Sequence, residues 1–148
     1  MICNTIHLYY NRLQKEISTP ILDLRNELEE ALKRKGITST FIIGTPNTIK
    51  QGLYRFKNIK SFEPNEEEIK ELTDAIFNFN KGIDKEKQIL KARKICEKYL
   101  SKGAGTIILG CTEFAVMLSN ENFPKINTID ILVDALLNKI KTGYLYKQ

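Results

Sequence analysis

The sequence predicts an α/β fold, a parallel sheet flanked by helices, and three observations lead there. Two runs, T-S-T-F-I-I-G at 38–44 and T-I-I-L-G at 106–110, are apolar and β-branched without polar alternation and end in glycine, as strands buried on both faces do. The segments between them carry apolar residues at helical spacing, with capping residues at their starts and glycines at their ends. Strand and helix therefore alternate along the chain, the order that builds a parallel sheet with helical crossovers.

Residues 1–3 read as the end of a buried strand. The spacing of apolar residues at 6, 9, 10, 13 and 17 predicts a helix over 7–17, and S-T-P at 18–20 breaks it. A short strand near Ile21 and Leu22 precedes a helix over 24–35, rich in Leu, Glu and Lys and stopped by Gly36. The strand at 38–44 is followed by T-P-N-T-I-K-Q-G, a helical turn with Thr and Asn as capping residues. Residues 57–63 form a weak strand. Pro64, Asn65 and Glu66 open a helix to about Phe79. The next helix, over 85–102, carries its apolar stripe at 89, 92, 95, 96, 99 and 100 and is closed by Gly103 and Gly105. After the strand at 106–109, residues 112–118 read as helix and 126–129 as a short strand. Asp130 caps a final helix to about Lys141.

Composition narrows the function. At 148 residues there is enough chain for one ordinary domain core. The net charge is +5, but the lysines are scattered rather than clustered on one face among aromatics, so no nucleic acid is expected as a partner. No apolar run nears the roughly 18 residues of a membrane helix, and no signal peptide opens the chain. The expectation is a cytoplasmic protein with no membrane partner. Cysteines stand at 3, 96 and 111 with no C-x-x-C pair, which suggests reduced thiols and neither a metal site nor a redox pair.

In parallel sheets ligands bind beyond the C-terminal ends of strands. That rule selects Cys3-Asn4-Thr5, Thr45-Pro46-Asn47-Thr48 and Cys111-Thr112-Glu113, each after a strand and before a helix. Cys3 and Cys111 share this context. Backbone N–H groups and the helix dipole at such a place favour a thiolate and can also hold a carboxylate. Two thiols facing each other across a planar carbanion would invert a carbon, one taking a proton and the other returning it on the opposite face. That logic requires no cofactor, neither metal nor pyridoxal. It does require fixed hydrogen bonds to stabilise the developing charge.

At these residues the chain resembles the aspartate/glutamate racemase family, through C-N-T-x-H at Cys3 to His7 and G-C-T-E at Gly110 to Glu113. T-P-N-T at 45–48 resembles that family's T-x-x-T, and P-N-E-E-E at 64–68 its Pro-acidic helix start. Asn80-Lys81-Gly82 resembles the segment carrying a lysine near the substrate's side chain, and I-N-T-I-D the strand that returns the chain to the first domain. Glu113 stands where glutamate racemases usually have histidine, so the aspartate racemase branch is the closer match. The resemblance implies two similar α/β domains with one cysteine from each. Residues 37–128 would then be one complete flavodoxin-like domain, and 1–36 with 129–148 the closing part of a second similar domain. It further implies an N-terminally truncated member, lacking the family's glycine-rich opening motif and its arginine for the distal carboxylate.

The roles the resemblance implies are a catalytic pair, Cys3 and Cys111, and a substrate set of Asn4, Thr5, Thr45, Thr48, Lys81 and Thr112. His7 and Glu113 would support them. The substrate would be a small amino acid with a carboxylate side chain, aspartate or glutamate. Each residue also has a plainer role. Cys111 would serve as a small hydrophobe, and Cys96, on an apolar stripe, as core packing. Asn4, Thr5, Thr45, Thr48 and Thr112 would cap helices. Lys81 would be solvated, His7 would make a structural hydrogen bond, and Glu113 would brace its loop. For the whole chain the alternatives are a catalytically inactive racemase-fold remnant or carboxylate-binding domain, and the related hydantoin racemase, maleate isomerase and arylmalonate decarboxylase chemistries. Sheet edge and apolar surface left open would make the chain a homo-oligomer.

Overall fold

The computed structural model describes residues 1–142. A 3₁₀ segment, Thr5–Tyr9, leads into α1 (Tyr10–Glu16), followed by α2 (Leu24–Arg34), β1 (Ser39–Gly44) and α3 (Pro46–Lys50). β2 (Lys60–Phe62), α4 (Glu66–Asn80) and α5 (Lys85–Ser101) come next, then β3 (Thr106–Gly110), α6 (Thr112–Met117), β4 (Lys125–Asn127) and α7 (Thr128–Lys141). All strands are parallel, in the order β2-β1-β3-β4. This is the α/β fold with a flanked parallel sheet that the sequence predicts.

Strand alternation sorts the core into two layers. Phe41, Ile43, Ile107 and Leu109 face α4, α5 and α6, where Leu72, Ile95, Cys96 and Phe114 bury. Ile42 and Ile108 face the opposite layer, with Leu24, Leu28 and Leu32 of α2, Ile49 of α3 and Leu132 of α7. Cys96, in the layer of α4, α5 and α6, is wholly buried as core packing, and burial pushes its thiol well up. The Tyr99 ring of α5 stacks on Phe41 with centroids 4.1 Å apart. Its hydroxyl donates to Glu68, whose carboxylate closes the capping box of α4 with Asn65.

Several ends differ from expectation. Residues 1–3 and 21–22 are not strand: a strand needs a neighbour to pair with, and among the described residues none pairs with them. The Ile21 N–H is satisfied instead by Gln14 Oε1 at 2.7 Å. The helix predicted over 7–17 begins earlier, as a 3₁₀ turn. β4 ends at Asn127, which caps α7 by accepting from the Ile129 N–H, so Asp130 lies inside the helix rather than at its cap.

The strand order sets the position of the site. From β1 the chain steps to β2 on one side, then returns over the sheet to β3 on the other. Connections leave β1 and β3 in opposite directions, which makes their C-terminal ends the switch point at which such sheets place ligands. Gly44 and Gly110 are register partners at those ends. The residues that follow them, Thr45 and Cys111, emerge side by side.

Candidate active site

Glycine at both strand ends makes room for side chains beneath them. A Cβ on Gly44 would fall 3.0 Å from the Gly110 carbonyl oxygen and 3.2 Å from Thr48 Cγ2. One on Gly110 would fall 3.1 Å from the Ile43 carbonyl oxygen and 3.2 Å from Tyr54 Cε2.

Thr45 caps α3, its hydroxyl accepting from the Thr48 N–H at 3.3 Å, with Pro46 in the first turn. Thr5 arrives from 40 residues earlier in the chain than Thr45. Its hydroxyl lies 2.9 Å from that of Thr45 and 3.1 Å from that of Thr48, and those two are 3.1 Å apart. Three hydroxyls thus form a closed triangle. Each has one proton and two lone pairs, so the ring can turn donors outward to an anion with no backbone movement.

Asn4, next to this triangle in the chain, is buried. Its Oδ1 accepts from the Tyr54 phenol, while its Nδ2 is buried with no partner among the described residues. The capping role expected for Asn4 does not hold, because Tyr54 occupies the carbonyl that would have capped. Thr5 turns its hydroxyl to Thr45 and Thr48 instead. Thr112 is the first residue of α6 rather than its cap, and its hydroxyl donates to Glu113 Oε2 at 2.9 Å.

Cys111 is 5% exposed, and its thiol donates to Glu113 Oε2 at 2.7 Å. Asn80 Nδ2 donates to the other carboxylate oxygen at 3.3 Å. Burial first, and the Glu113 acceptor second, push Cys111 up to about 12, although the backbone of Glu113 and Phe114 pulls the other way. This reverses the direction expected from the helix N-terminus: the N–H groups are present, but desolvation and a carboxylate outweigh them. Glu113 itself is raised by burial, yet the bonds from Cys111, Thr112 and Asn80 together hold it below the usual carboxylate range.

Cys3 is exposed and immediately precedes Asn4 and Thr5. His7 is wholly buried and does not hydrogen-bond to Cys3. Its Nε2 lies 3.1 Å from the Met1 carbonyl and its Nδ1 accepts from the Leu24 N–H at 3.4 Å, so it is the neutral Nε2–H form that ties the Cys3 segment to α2. Desolvation lowers its pKa despite the Met1 carbonyl and Asp23. Lys81 is exposed at the C-cap of α4, and the contact to the Cys111 cluster comes from its neighbour Asn80.

Sequence reading missed Tyr54 and Asn80. For Tyr54 a signal existed: a tyrosine in the G-L-Y that ends the α3 segment carries a polar tip that needs a partner once buried. For Asn80 there was none beyond its place beside Lys81.

A family profile described as Asp/Glu/hydantoin racemase matches residues 1–136. The chain is 33% identical over 122 residues to a glutamate racemase of Aquifex pyrophilus, covering 78% of this chain and 45% of that protein. It thus spans about half the length of this relative. The fold is similar to an aspartate racemase homologue from Pyrococcus horikoshii, with a TM-score of 0.73 and 25% identity over 92% of this chain and 63% of that one. It is also similar to a Picrophilus torridus aspartate racemase, with a TM-score of 0.75 and 22% identity, covering 100% of this chain and 66% of the other.

Proposed function

The chain belongs to the Asp/Glu/hydantoin racemase family, and we propose that it inverts the α-carbon of an acidic amino acid, aspartate before glutamate, with Cys3 and Cys111 as the acid/base pair. The observation that carries this reading is the meeting of Thr5, Thr45 and Thr48 hydroxyls at the strand ends from which Cys111 emerges. An anion cradle and a buried proton donor then follow paired strand ends.

In one direction the Cys3 thiolate takes the α-proton and the Cys111 thiol delivers its proton to the opposite face. The reverse direction exchanges the two states. A thiol held up to about 12 suits the donor role. Once it gives up its proton, the thiolate lies against the Glu113 carboxylate, a like-charge pair that favours rapid reprotonation. Asn4, Thr5, Thr45, Thr48 and Thr112 hold the α-carboxylate and amino group, and Lys81 the distal carboxylate. Glu113 at this position supports aspartate over glutamate. The acid/base logic itself calls for no metal or pyridoxal. The reduced thiols suit the cytoplasm. The exposed stripe of Val133, Leu136, Leu137 and Ile140 on α7 supports self-association.

A second reading is a carboxylate-binding domain without turnover, favoured by the same high pKa of Cys111. Chiral chromatography of L-aspartate and L-glutamate incubated with the protein separates the two. Inversion that is lost in both Cys3→Ala and Cys111→Ala supports the racemase. Inversion persisting near the parent rate in either variant refutes the pairing, and binding without inversion leaves the carboxylate-binding reading.

A further inference from the structure

Tyr54 is a wholly buried side chain whose polar end no packing argument explains. Its hydroxyl reaches across 50 residues of sequence to Asn4 Oδ1. The ring lies against the end of β3, where a Cβ on Gly110 would approach its Cε2 to 3.2 Å. Asn4 is equally enclosed, at 3% exposure, and its Nδ2 lacks a partner among the described residues. An amide so enclosed has two orientations. In the one found, the phenol proton has an acceptor and the amide's donors are left over. In the flipped one, the phenol proton loses that acceptor and the carbonyl is left over. A buried phenol without an acceptor is costly, so Tyr54 fixes the polarity of Asn4. Burial first, with the Asp23 and Cys3 charges, pushes Tyr54 up, so the phenol keeps its proton.

We propose that Tyr54 is a positioning residue that locks the Asn4 amide with its N–H groups left for the ligand, so that within the Asn4–Thr5–Thr45–Thr48 cradle Asn4 presents only donors, to a carboxylate. The neighbouring hydroxyls can each donate or accept, so Asn4 is the member of the cradle whose polarity the fold fixes. With its carbonyl occupied, Asn4 favours an acceptor group beside it, such as a carboxylate, over a donor. The identity of the ligand as aspartate rests on the racemase reading. The polarity of Asn4 does not.

The test titrates L-aspartate into the nitrogen-labelled full chain and follows the Asn4 side-chain amide by NMR. The wild type should show that amide shifting. Tyr54→Phe, which keeps the ring, should bind aspartate about two- to tenfold more weakly, the worth of one net hydrogen bond. Asn4→Asp keeps an acceptor for Tyr54 but removes the donors, and should lose more. An Asn4 amide unmoved across the titration overturns the proposal. So does a folded Tyr54→Phe with the wild-type affinity, or an Asn4→Asp chain that binds as well as the parent. If aspartate shifts Asn4 but is never inverted, the racemase reading fails and the role of Tyr54 stands. Inversion with an unmoved Asn4 overturns the role of Tyr54 alone.

Discussion

Replacing Glu113 by glutamine removes one negative charge and keeps the side chain's shape. Cys111 now donates to that carboxylate at 2.7 Å, and burial together with this acceptor pushes the thiol up to about 12. Burial is the larger cause and survives the substitution, so the pKa stays above the usual cysteine value. The charged acceptor is lost. A hydrogen bond to a charged group contributes about 1.5 kcal/mol at the lower end, appropriate for a weak sulfur donor, and 1.36 kcal/mol corresponds to about one pH unit. Cys111 should therefore move from about 12 toward about 11. At about pH 10, below both values, the thiolate fraction should rise about tenfold by the same constant. An NMR titration of the cysteine Cβ resonances reads this directly in parent and Glu113→Gln chains. An unchanged or higher pKa in the variant would mean that the carboxylate does not hold the thiol proton, and the assignment of Cys111 as donor would lose its support.

Three further outcomes follow from the same contacts. Gly110→Ala places a Cβ 3.1 Å from the Ile43 carbonyl oxygen and 3.2 Å from the Tyr54 ring, and should cost about 1–3 kcal/mol in chemical denaturation. Parent-like stability would show that the strand end is not closely packed there. His7→Ala orphans the Leu24 N–H and the Met1 carbonyl and should cost about 2–3 kcal/mol. Because the folded pKa of His7 lies below its ordinary 6.5, its contribution is present above pH 6.5 and lost as pH falls through the depressed value. Acid-side melting should therefore be flatter in the alanine variant, and identical slopes would refute this. On the alkaline side, Cys111 is raised from 9.0 to about 12 and Tyr99 from 10.0 to about 12. Both favour the folded chain below their unfolded values, so thermal stability should fall as pH rises from about 9 toward 12. A flat alkaline profile would contradict it.

The parts of the fold that the sequence made legible are those whose signals are local. β1 and β3 announce themselves as unbroken apolar runs ending in glycine, and α2, α4 and α5 by their stripes and stops. The start of α7 was misplaced because Asn127 and Asp130 are both capable caps three residues apart, and only the pairing of β4 with β3 decides between them. The strands expected at 1–3 and 21–22 failed for a related reason: strand character is completed by a partner, which a sequence does not display. Two parts of the site were legible as the ends of β1 and β3, whereas the segment of Cys3, Asn4 and Thr5 was singled out through a strand that does not form. That Thr5 meets Thr45 and Thr48 across some forty residues of chain was not legible. The thiol of Cys111 was misjudged because a helix N-terminus can be read from sequence, whereas the depth of burial cannot. Glu113 was visible two residues on, but the turn that aims its carboxylate at the sulfur is a property of the folded α6 terminus.

The most direct test of the two-cysteine account is the fate of the α-hydrogen in heavy water. L-aspartate is incubated with the protein in D2O, and early product and remaining substrate are separated by enantiomer and examined by proton NMR. Two opposed thiols predict that the D-aspartate formed carries solvent deuterium at the α-carbon while the remaining L-aspartate keeps its proton, and that Cys3→Ala and Cys111→Ala each stop the inversion. Deuterium entering the L-aspartate pool as fast as the product, or inversion surviving the loss of either cysteine, would contradict it.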